Sequence, residues 1–192
     1  MDVHRFFPGI GLDPAKAFDI MWSSRQVRRI AGVDCVVPGL VAQTVILVLN
    51  AARSWSSGPA NVDVHASWGC AHENRRAEIR ALVARLEADV AFAAGLGTLE
   101  DFRNRREYAL WRVISQGGTR LEEWRARIAA APSRREQLRL VLTAPLVNVE
   151  HLTVLWGRRP TRWEIVREFF LRPVRGLAEQ ARALLLGREG RR

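Results

Sequence analysis

The sequence predicts a mainly α-helical fold with a small β element near the N-terminus. Two observations favour it: apolar residues recur at helical spacing through most of the chain beyond residue 38, and only Gln26–Val37 has the composition of paired strands. The chain has 192 residues, of which 48% are hydrophobic and 26% charged, as in ordinary globular proteins. This length suffices for one domain with a sizeable core, and the composition excludes disordered and collagen-like classes.

Three short elements are predicted before the β candidate. Met1–Arg5 alternates polar and apolar residues, which indicates the stub of a strand, and Phe6–Leu12 is a loop rich in glycine. Asp13 is a predicted N-cap, and Pro14 occupies the first helical position that suits proline. A short helix is therefore expected to run from here to about Trp22.

The β candidate and the helix after it are predicted from different patterns. Gln26–Val37 contains valine and isoleucine on both sides of Ala31-Gly32, which indicates two short strands joined by a tight turn. From Pro38 the apolar residues follow helical spacing, and this helix is expected to end at about Arg53.

The middle of the chain is predicted to contain a loop and two long helical segments. Ser54–Gly69 has the composition of a loop, whereas residues 73–94 are expected to form one amphipathic helix that ends at Gly95 and Gly97. Leu99–Ile114 is expected to be the second segment. The apolar stripe of the first helix comprises Ile79, Leu82, Val83, Leu86 and Val90.

Further helices are predicted from their caps. Thr119 is followed three residues later by Glu122, and Ser133 in the same way by Glu136, which is the spacing of a capping box. Thr161 is expected to cap a third helix. The predicted helices are Leu121–Ala130, Arg134–Leu142, Trp163–Leu171 and, beyond Pro173, Val174–Leu186.

The net charge of +10 lies entirely in the second half of the chain. Residues 1–100 are neutral overall, and Arg158–Arg192 holds ten arginines against four glutamates, a net charge of +6. Trp163 and Val166 belong to an apolar stripe within this basic segment. The asymmetry indicates an anionic partner, which could be an acidic protein, a nucleic acid or a membrane surface, or else a solvated face with no partner.

Targeting and membrane signals are weak. Cys35 and Cys70 are too few for a disulfide scaffold and suit a reducing compartment, and no N-terminal stretch has the pattern of a signal peptide. The longest apolar run, Val36–Ala52, is interrupted by Pro38 and Asn50, so a buried helix is expected there rather than a membrane span. We therefore expect a cytoplasmic protein with no integral membrane segment.

Common metal and hydrolase motifs are missing. His65, Cys70 and His72 lie close together, but their spacing matches no established zinc pattern, so a loop with ordinary polar residues is the favoured interpretation. His72 and Glu73 are followed by Arg76 where a metalloprotease helix requires a second histidine.

The N-terminal segment carries the most specific signal. Asp2 lies between apolar residues of the predicted strand, where a carboxylate is costly unless it binds a cation or a basic group. The segment Asp-Val-His-Arg, the Pro-Gly loop, the Asp-Pro helix start, the hairpin and the apolar helix together resemble the uncharacterised bacterial nucleotidyltransferase family. That resemblance implies transfer of a nucleoside monophosphate from a nucleotide triphosphate to an unidentified acceptor, with Mg²⁺. It also implies that Asp2 is a catalytic metal ligand and that His4 and Arg5 lie beside the triphosphate.

The chain departs from that family in one essential respect. No Gly-Ser followed by Asp-x-Asp occurs anywhere in the sequence, and clustered carboxylates are what hold the divalent metals in such chemistry. The chain therefore resembles the C-terminal part of a protein of this family. In this interpretation residues 1–37 are a remnant of the family's α/β region and residues 38–192 form a helical domain. We expect this chain to be inactive by itself and Met1 to be a secondary start behind an in-frame segment that encodes the missing motif. The alternative is a non-enzymatic helical interaction module that uses the arginine-rich second half.

Overall fold

The computed structural model describes residues 7–54, 61–143, 149–168 and 171. In these residues the fold is mainly helical with one two-stranded antiparallel hairpin near the N-terminus, which confirms the predicted class. The chain divides into two compact units, Met1–Gly117 and Gly118–Arg192. The domain boundary predicted after residue 37 stays a prediction.

Each unit has its own set of elements. The first unit contains α1 (Pro14–Trp22), β1 (Gln26–Ile30), β2 (Val33–Val37), α2 (Leu40–Ala52), α3 (Val62–Val64), a π-helix (His65–Gly69), α4 (Glu73–Arg85), α5 (Asp89–Leu96), a 3-10 helix (Leu99–Phe102) and α6 (Tyr108–Gln116). The second contains α7 (Arg120–Ala130), α8 (Arg134–Thr143), α9 (Val149–Trp156) and α10 (162–168).

The predicted helix start and hairpin are both confirmed. The Asp13 carboxylate accepts hydrogen bonds from the backbone N–H groups of Ala15 and Lys16, each at 3.2 Å, so α1 begins where its cap and proline indicate. In the hairpin Ala31 and Gly32 both have positive φ, 50° and 83°. Two such residues give the tight turn that matches the natural twist of paired strands.

The core of the first unit is a close contact between α2 and α5. Val45, Val48 and Leu49 of α2 are completely buried, and most of α5 is buried as well. The approach is so close at Gly95 that a Cβ atom there would lie 2.2 Å from the carbonyl oxygen of Val48. Glycine is therefore required at this position because no larger residue fits between the two backbones.

The prediction of one helix over residues 73–94 is wrong. The helix ends at Arg85, and α5 begins at Asp89, with Glu87 in the left-handed conformation at a φ of 53° between them. Ile79, Val83, Leu86 and Val90 of the predicted stripe are nevertheless all buried. The periodicity identified the buried residues but not the turn, because neither glycine nor proline marks the break.

The prediction of one segment over Leu99–Ile114 is also wrong. A short 3-10 helix covers Leu99–Phe102, a series of turns follows, and α6 begins only at Tyr108. The Glu100 carboxylate bonds to the guanidinium of Arg103 and accepts a hydrogen bond of 2.9 Å from the Tyr108 hydroxyl. These side-chain contacts link the 3-10 helix to the turns and to the start of α6, where a continuous helix would have backbone hydrogen bonds.

Part of the predicted loop Ser54–Gly69 is helical. Residues 55–60 lie outside the described part of the chain, but residues 61–69 form α3 and the π-helix. The Asn61 side chain accepts a hydrogen bond of 2.9 Å from the backbone N–H of Asp63, and Val64 is buried in the core. A helix this short lacks the repeat from which sequence periodicity is recognised.

The caps predicted in the second unit are confirmed. Thr119 and Glu122 form the reciprocal capping box of α7, and the Ser133 hydroxyl accepts a hydrogen bond of 3.2 Å from the backbone N–H of Glu136. Thr161 similarly caps α10 by accepting from the N–H of Glu164 at 3.3 Å. The predicted helix over Val174–Leu186 lies outside the described residues.

The α2–α5 contact yields a test of the fold. Replacing a helical glycine by alanine normally stabilises a helix by about 1 kcal/mol. For Gly95→Ala we expect the opposite sign, a loss of about 2 kcal/mol in the free energy of unfolding, because the new Cβ forces the two helices apart. Urea unfolding measures this, with Glu78→Ala on the exposed side of α4 as a control expected to change stability by less than about 0.5 kcal/mol. A Gly95→Ala variant more stable than the parent would refute the packing described.

Candidate functional site

The predicted site residues Asp2, His4 and Arg5 lie outside the described part of the chain. The loop that follows them is described, and it docks on the core of the first unit. Gly9 has a φ of 102°, and a Cβ there would lie 2.9 Å from the Cβ of Ala91. The Pro-Gly loop therefore has a packing role in this chain.

Among the described residues, the polar side chains around His65 do not form a metal site. The Cys70 sulfur lies 3.9 Å from Nε2 of His65. In residues 7–54, 61–143, 149–168 and 171 no three histidine, cysteine, aspartate or glutamate side chains are grouped so that they could hold a metal ion. Neither Cys70 nor Cys35, which lies on β2, forms a disulfide bond.

The first unit contains a cavity of about 620 Å³, which we call the Trp68 cavity. Its walls are formed by the π-helix, α4, α5 and the 3-10 helix. Trp68, Phe92 and Phe102 form the aromatic part of the lining. Its size falls within the range of about 300–1,000 Å³ that small-molecule sites occupy.

Trp68 is held in place by contacts on several sides. Its ring meets the Phe92 ring edge to face, with centroids 5.3 Å apart and an angle of 81° between the planes. The guanidinium groups of Arg76 and Arg80 lie 5.6 and 5.4 Å from the centroid of the indole. Arg76 also donates hydrogen bonds to the carbonyls of Trp68 at 3.3 Å and Gly69 at 2.7 Å, which links α4 to the π-helix.

The charged side chains that line the cavity include more acidic than basic groups. Arg80 donates a hydrogen bond of 2.7 Å to Glu73, and this bond holds the pKa of Glu73 below its ordinary value. Asp89, in the first turn of α5, and Asp101, in the 3-10 helix, also line the cavity. Neither aspartate forms an ion pair within the described residues. The lining therefore carries two carboxylates against one arginine that already has an acidic partner.

The second unit presents basic and apolar side chains together on α8. Arg135 and Arg139 are exposed and form no ion pair in the described part of the unit. Leu138, Val141 and Leu142 of the same helix are exposed as well, Leu142 to 65%. Spacings of three and four residues place these side chains on neighbouring parts of one helix surface.

The predicted basic segment is described only in its first part. Trp163, at 76% exposed, and Val166 do not pack into a core, so the apolar stripe predicted there is open to solvent in its described portion. Arg158 forms two hydrogen bonds to the carboxylate of Glu164, at 3.0 and 2.5 Å. These bonds, together with those from the N–H and hydroxyl of Thr161, lower the pKa of Glu164 to about 2.

Sequence reasoning did not find the Trp68 cavity. Nothing in the sequence distinguishes Trp68 from a tryptophan that only packs, as it does against Phe92, and the space beside it is visible only in the structure. The one available signal is that Asp89 and Asp101 flank the apolar stretch of α5. The spacing of the two aspartates in the sequence does not predict that they line one cavity, because their positions depend on the turn at Glu87 and on the 3-10 helix.

No helix in the described residues is long and apolar enough to cross a membrane. Comparisons with protein-family models, with curated proteins and with solved structures found no match.

The Arg158–Glu164 pair predicts a pH dependence for the second unit. Because the folded pKa of Glu164 lies below its ordinary value of 4.5, the pair stabilises the fold above that value and its contribution is lost as the pH falls toward about 2. We expect Glu164→Gln to be less stable than the parent at neutral pH, with the difference shrinking between these two pH values.

Thermal unfolding monitored by circular dichroism across that pH range measures the effect. Arg158→Gln removes the same pair and is expected to show a weaker dependence of the same sign, because Thr161 still bonds to the Glu164 carboxylate. Arg159→Gln, at an exposed neighbour, is expected to match the parent. A Glu164→Gln difference that stays constant down to acid pH would contradict the described pairing.

Proposed function

We propose that this chain is the helical, ligand-binding part of a nucleotidyltransferase-like protein, and that its first unit binds a small organic molecule in the Trp68 cavity. The observation that carries the proposal is the cavity itself: about 620 Å³, with an aromatic lining and a few charged groups. Sites of this kind bind small molecules because the apolar walls supply affinity and the few polar groups fix orientation. In a nucleotidyltransferase-like protein, the molecule so bound would be the acceptor.

The catalytic part of the proposal rests on the resemblance. Asp2 would bind Mg²⁺, and His4 and Arg5 would lie beside the phosphates of a nucleotide triphosphate. Metal ions in phosphoryl and nucleotidyl transfer bridge the reacting oxygens and neutralise developing charge, and several carboxylates are needed to hold them. This sequence has Asp2 but no Gly-Ser followed by Asp-x-Asp. We therefore assign the chain a binding role and no transfer reaction of its own.

The first expected outcome is that the purified chain transfers no label. Incubation with an α-labelled nucleotide triphosphate, Mg²⁺ and a bacterial small-molecule extract should give no product above the level of an Asp2→Ala control. One carboxylate cannot assemble the metal site that such transfer requires. Transfer that Asp2→Ala abolishes would show that the chain is a complete enzyme and would overturn this assignment.

A second candidate function is favoured by α8: attachment of the second unit to an anionic lipid surface. Basic and apolar residues on one helix surface suit a bilayer interface, because the arginines meet headgroups and the leucines enter the acyl boundary. Arg135, Leu138, Arg139 and Leu142 are exposed together on α8, and Val154 of α9 is 84% exposed. The arginines of Arg158–Arg192 would add to this attraction. Attachment of this kind is consistent with the cytoplasmic location that we propose, since the inner leaflet is the anionic one.

Vesicle binding tests the second candidate. Each arginine near an anionic bilayer contributes about 1 kcal/mol, so Arg135→Gln/Arg139→Gln is expected to weaken binding about thirtyfold. Leu138→Gln/Leu142→Gln should also weaken it, whereas Glu136→Gln should not. Sedimentation with phosphatidylserine-containing and neutral vesicles at two salt concentrations measures these effects. Equal binding to both kinds of vesicle, or salt-sensitive binding to duplex DNA alone, would exclude the lipid surface as partner.

A further inference from the structure

We propose that the molecule held in the Trp68 cavity is an organic cation, with an aromatic or other flat apolar body that carries a protonated amine. The inference rests on the proposed function and adds to it the chemical class of the ligand.

The wall selects a flat apolar body. Val83 and Phe92 are almost completely buried, so the floor of the cavity is apolar. Trp68 stands edge to face against Phe92, and Phe102 of the 3-10 helix completes the aromatic lining. Aromatic rings prefer offset or edge contacts with other rings, and such contacts add to the gain from burying apolar area. Because Arg76 fixes the backbone of Trp68 and Gly69, little ordering of the wall is required when a ligand enters.

The charges select an amine. Asp89 and Asp101 come from two different elements, one at the start of α5 and one beyond its end, yet both line the same cavity. Neither has a cationic partner among the described residues, so each carboxylate can accept a charge-assisted hydrogen bond from a ligand. An ammonium group beside an apolar wall gains such a bond, whereas a neutral hydroxyl gains a weaker one and a carboxylate is repelled.

The arginine in the lining does not reverse this preference. Arg80 donates its hydrogen bond to Glu73 at 2.7 Å and stacks over Trp68 at 5.4 Å, so its charge is already balanced by a carboxylate outside the cavity lining. The remaining charges of the lining are the two aspartates. A phosphate or carboxylate ligand that approached Arg80 would also meet the carboxylates of Glu73, Asp89 and Asp101. An anionic ligand is therefore the least favourable occupant.

The test uses three probes that share an indole body and differ in charge: tryptamine, tryptophol and indole-3-propionate. Calorimetric titration of the full chain at neutral pH is expected to give tryptamine an affinity at least about tenfold higher than that of tryptophol, the ratio expected for one charge-assisted hydrogen bond. Indole-3-propionate is expected to bind most weakly. This comparison needs no variant, so a failure of any variant to fold does not affect it.

Variants then locate the interaction. Asp89→Asn and Asp101→Asn should each weaken tryptamine binding about fivefold to tenfold and tryptophol binding by a smaller factor, because the hydroxyl can still donate to the amide oxygen whereas the ammonium loses its opposite charge. Asp63→Asn makes the same charge change next to Val64 without altering the cavity lining, and it should leave all three affinities unchanged. Thr98→Phe places a ring in the cavity from an exposed position and should abolish binding of all three probes.

The possible failures are distinguishable. Equal affinities for tryptamine and tryptophol, with both probes failing to bind Thr98→Phe, would overturn the proposal that the ligand is a cation. The proposed binding function would still stand. Indole-3-propionate binding more tightly than the other two probes would also overturn the proposal that the ligand is a cation. Absence of binding for all three probes at about 1 mM, the weak limit of specific recognition, would overturn both the cation and the proposed function.

Discussion

The close contact between α2 and α5 is the constraint on which the first unit depends. It brings the carbonyl of Val48 against Gly95, with no room for a side chain between them. For α5 to lie there, the chain has to turn sharply after α4, and Glu87 makes that turn in the left-handed conformation. The loop after the N-terminal segment is hydrogen-bonded to this same turn, because the N–H groups of Gly11 and Leu12 donate to the carbonyl of Leu86 at 3.1 and 3.2 Å.

The Trp68 cavity is a consequence of the same arrangement. With one side of α5 pressed against α2, its Asp89, Phe92 and Leu96 remain available to line a space together with α4, the π-helix and the 3-10 helix. The cavity therefore lies beside helices that pack on the core, and its two aspartates come from the first turn of α5 and from the 3-10 helix. This arrangement suits binding, because a wall that is already ordered loses little freedom when a ligand enters. It also separates the binding proposal from the catalytic roles that the resemblance implies for Asp2, His4 and Arg5, which lie outside the described residues.

The sequence was sufficient wherever structure is decided locally. Asp13 with Pro14, Ala31 with Gly32, and Thr119 with Glu122 each act within a few residues, and all three produced the expected start or turn. It was insufficient where packing between distant segments decides the outcome. The turn at Glu87 has no local marker, and the π-helix at His65–Gly69 owes its position to Arg76, which donates to two of its carbonyls from α4. The same holds for the candidate site: the cavity is assembled by tertiary contacts, and Asp2, His4 and Arg5, which only the resemblance suggests as site residues, lie outside the described residues.

The central claim is that a small molecule binds beside Trp68, and nuclear magnetic resonance of the indole N–H groups tests it most directly. The chain has seven tryptophans, so selective labelling gives a small set of signals, and Trp68→Phe assigns the one of interest. During a titration with tryptamine, the account predicts that the Trp68 signal shifts and saturates while the signal of the exposed Trp163 stays in place. A Trp68 signal that does not move while another tryptophan responds would contradict it.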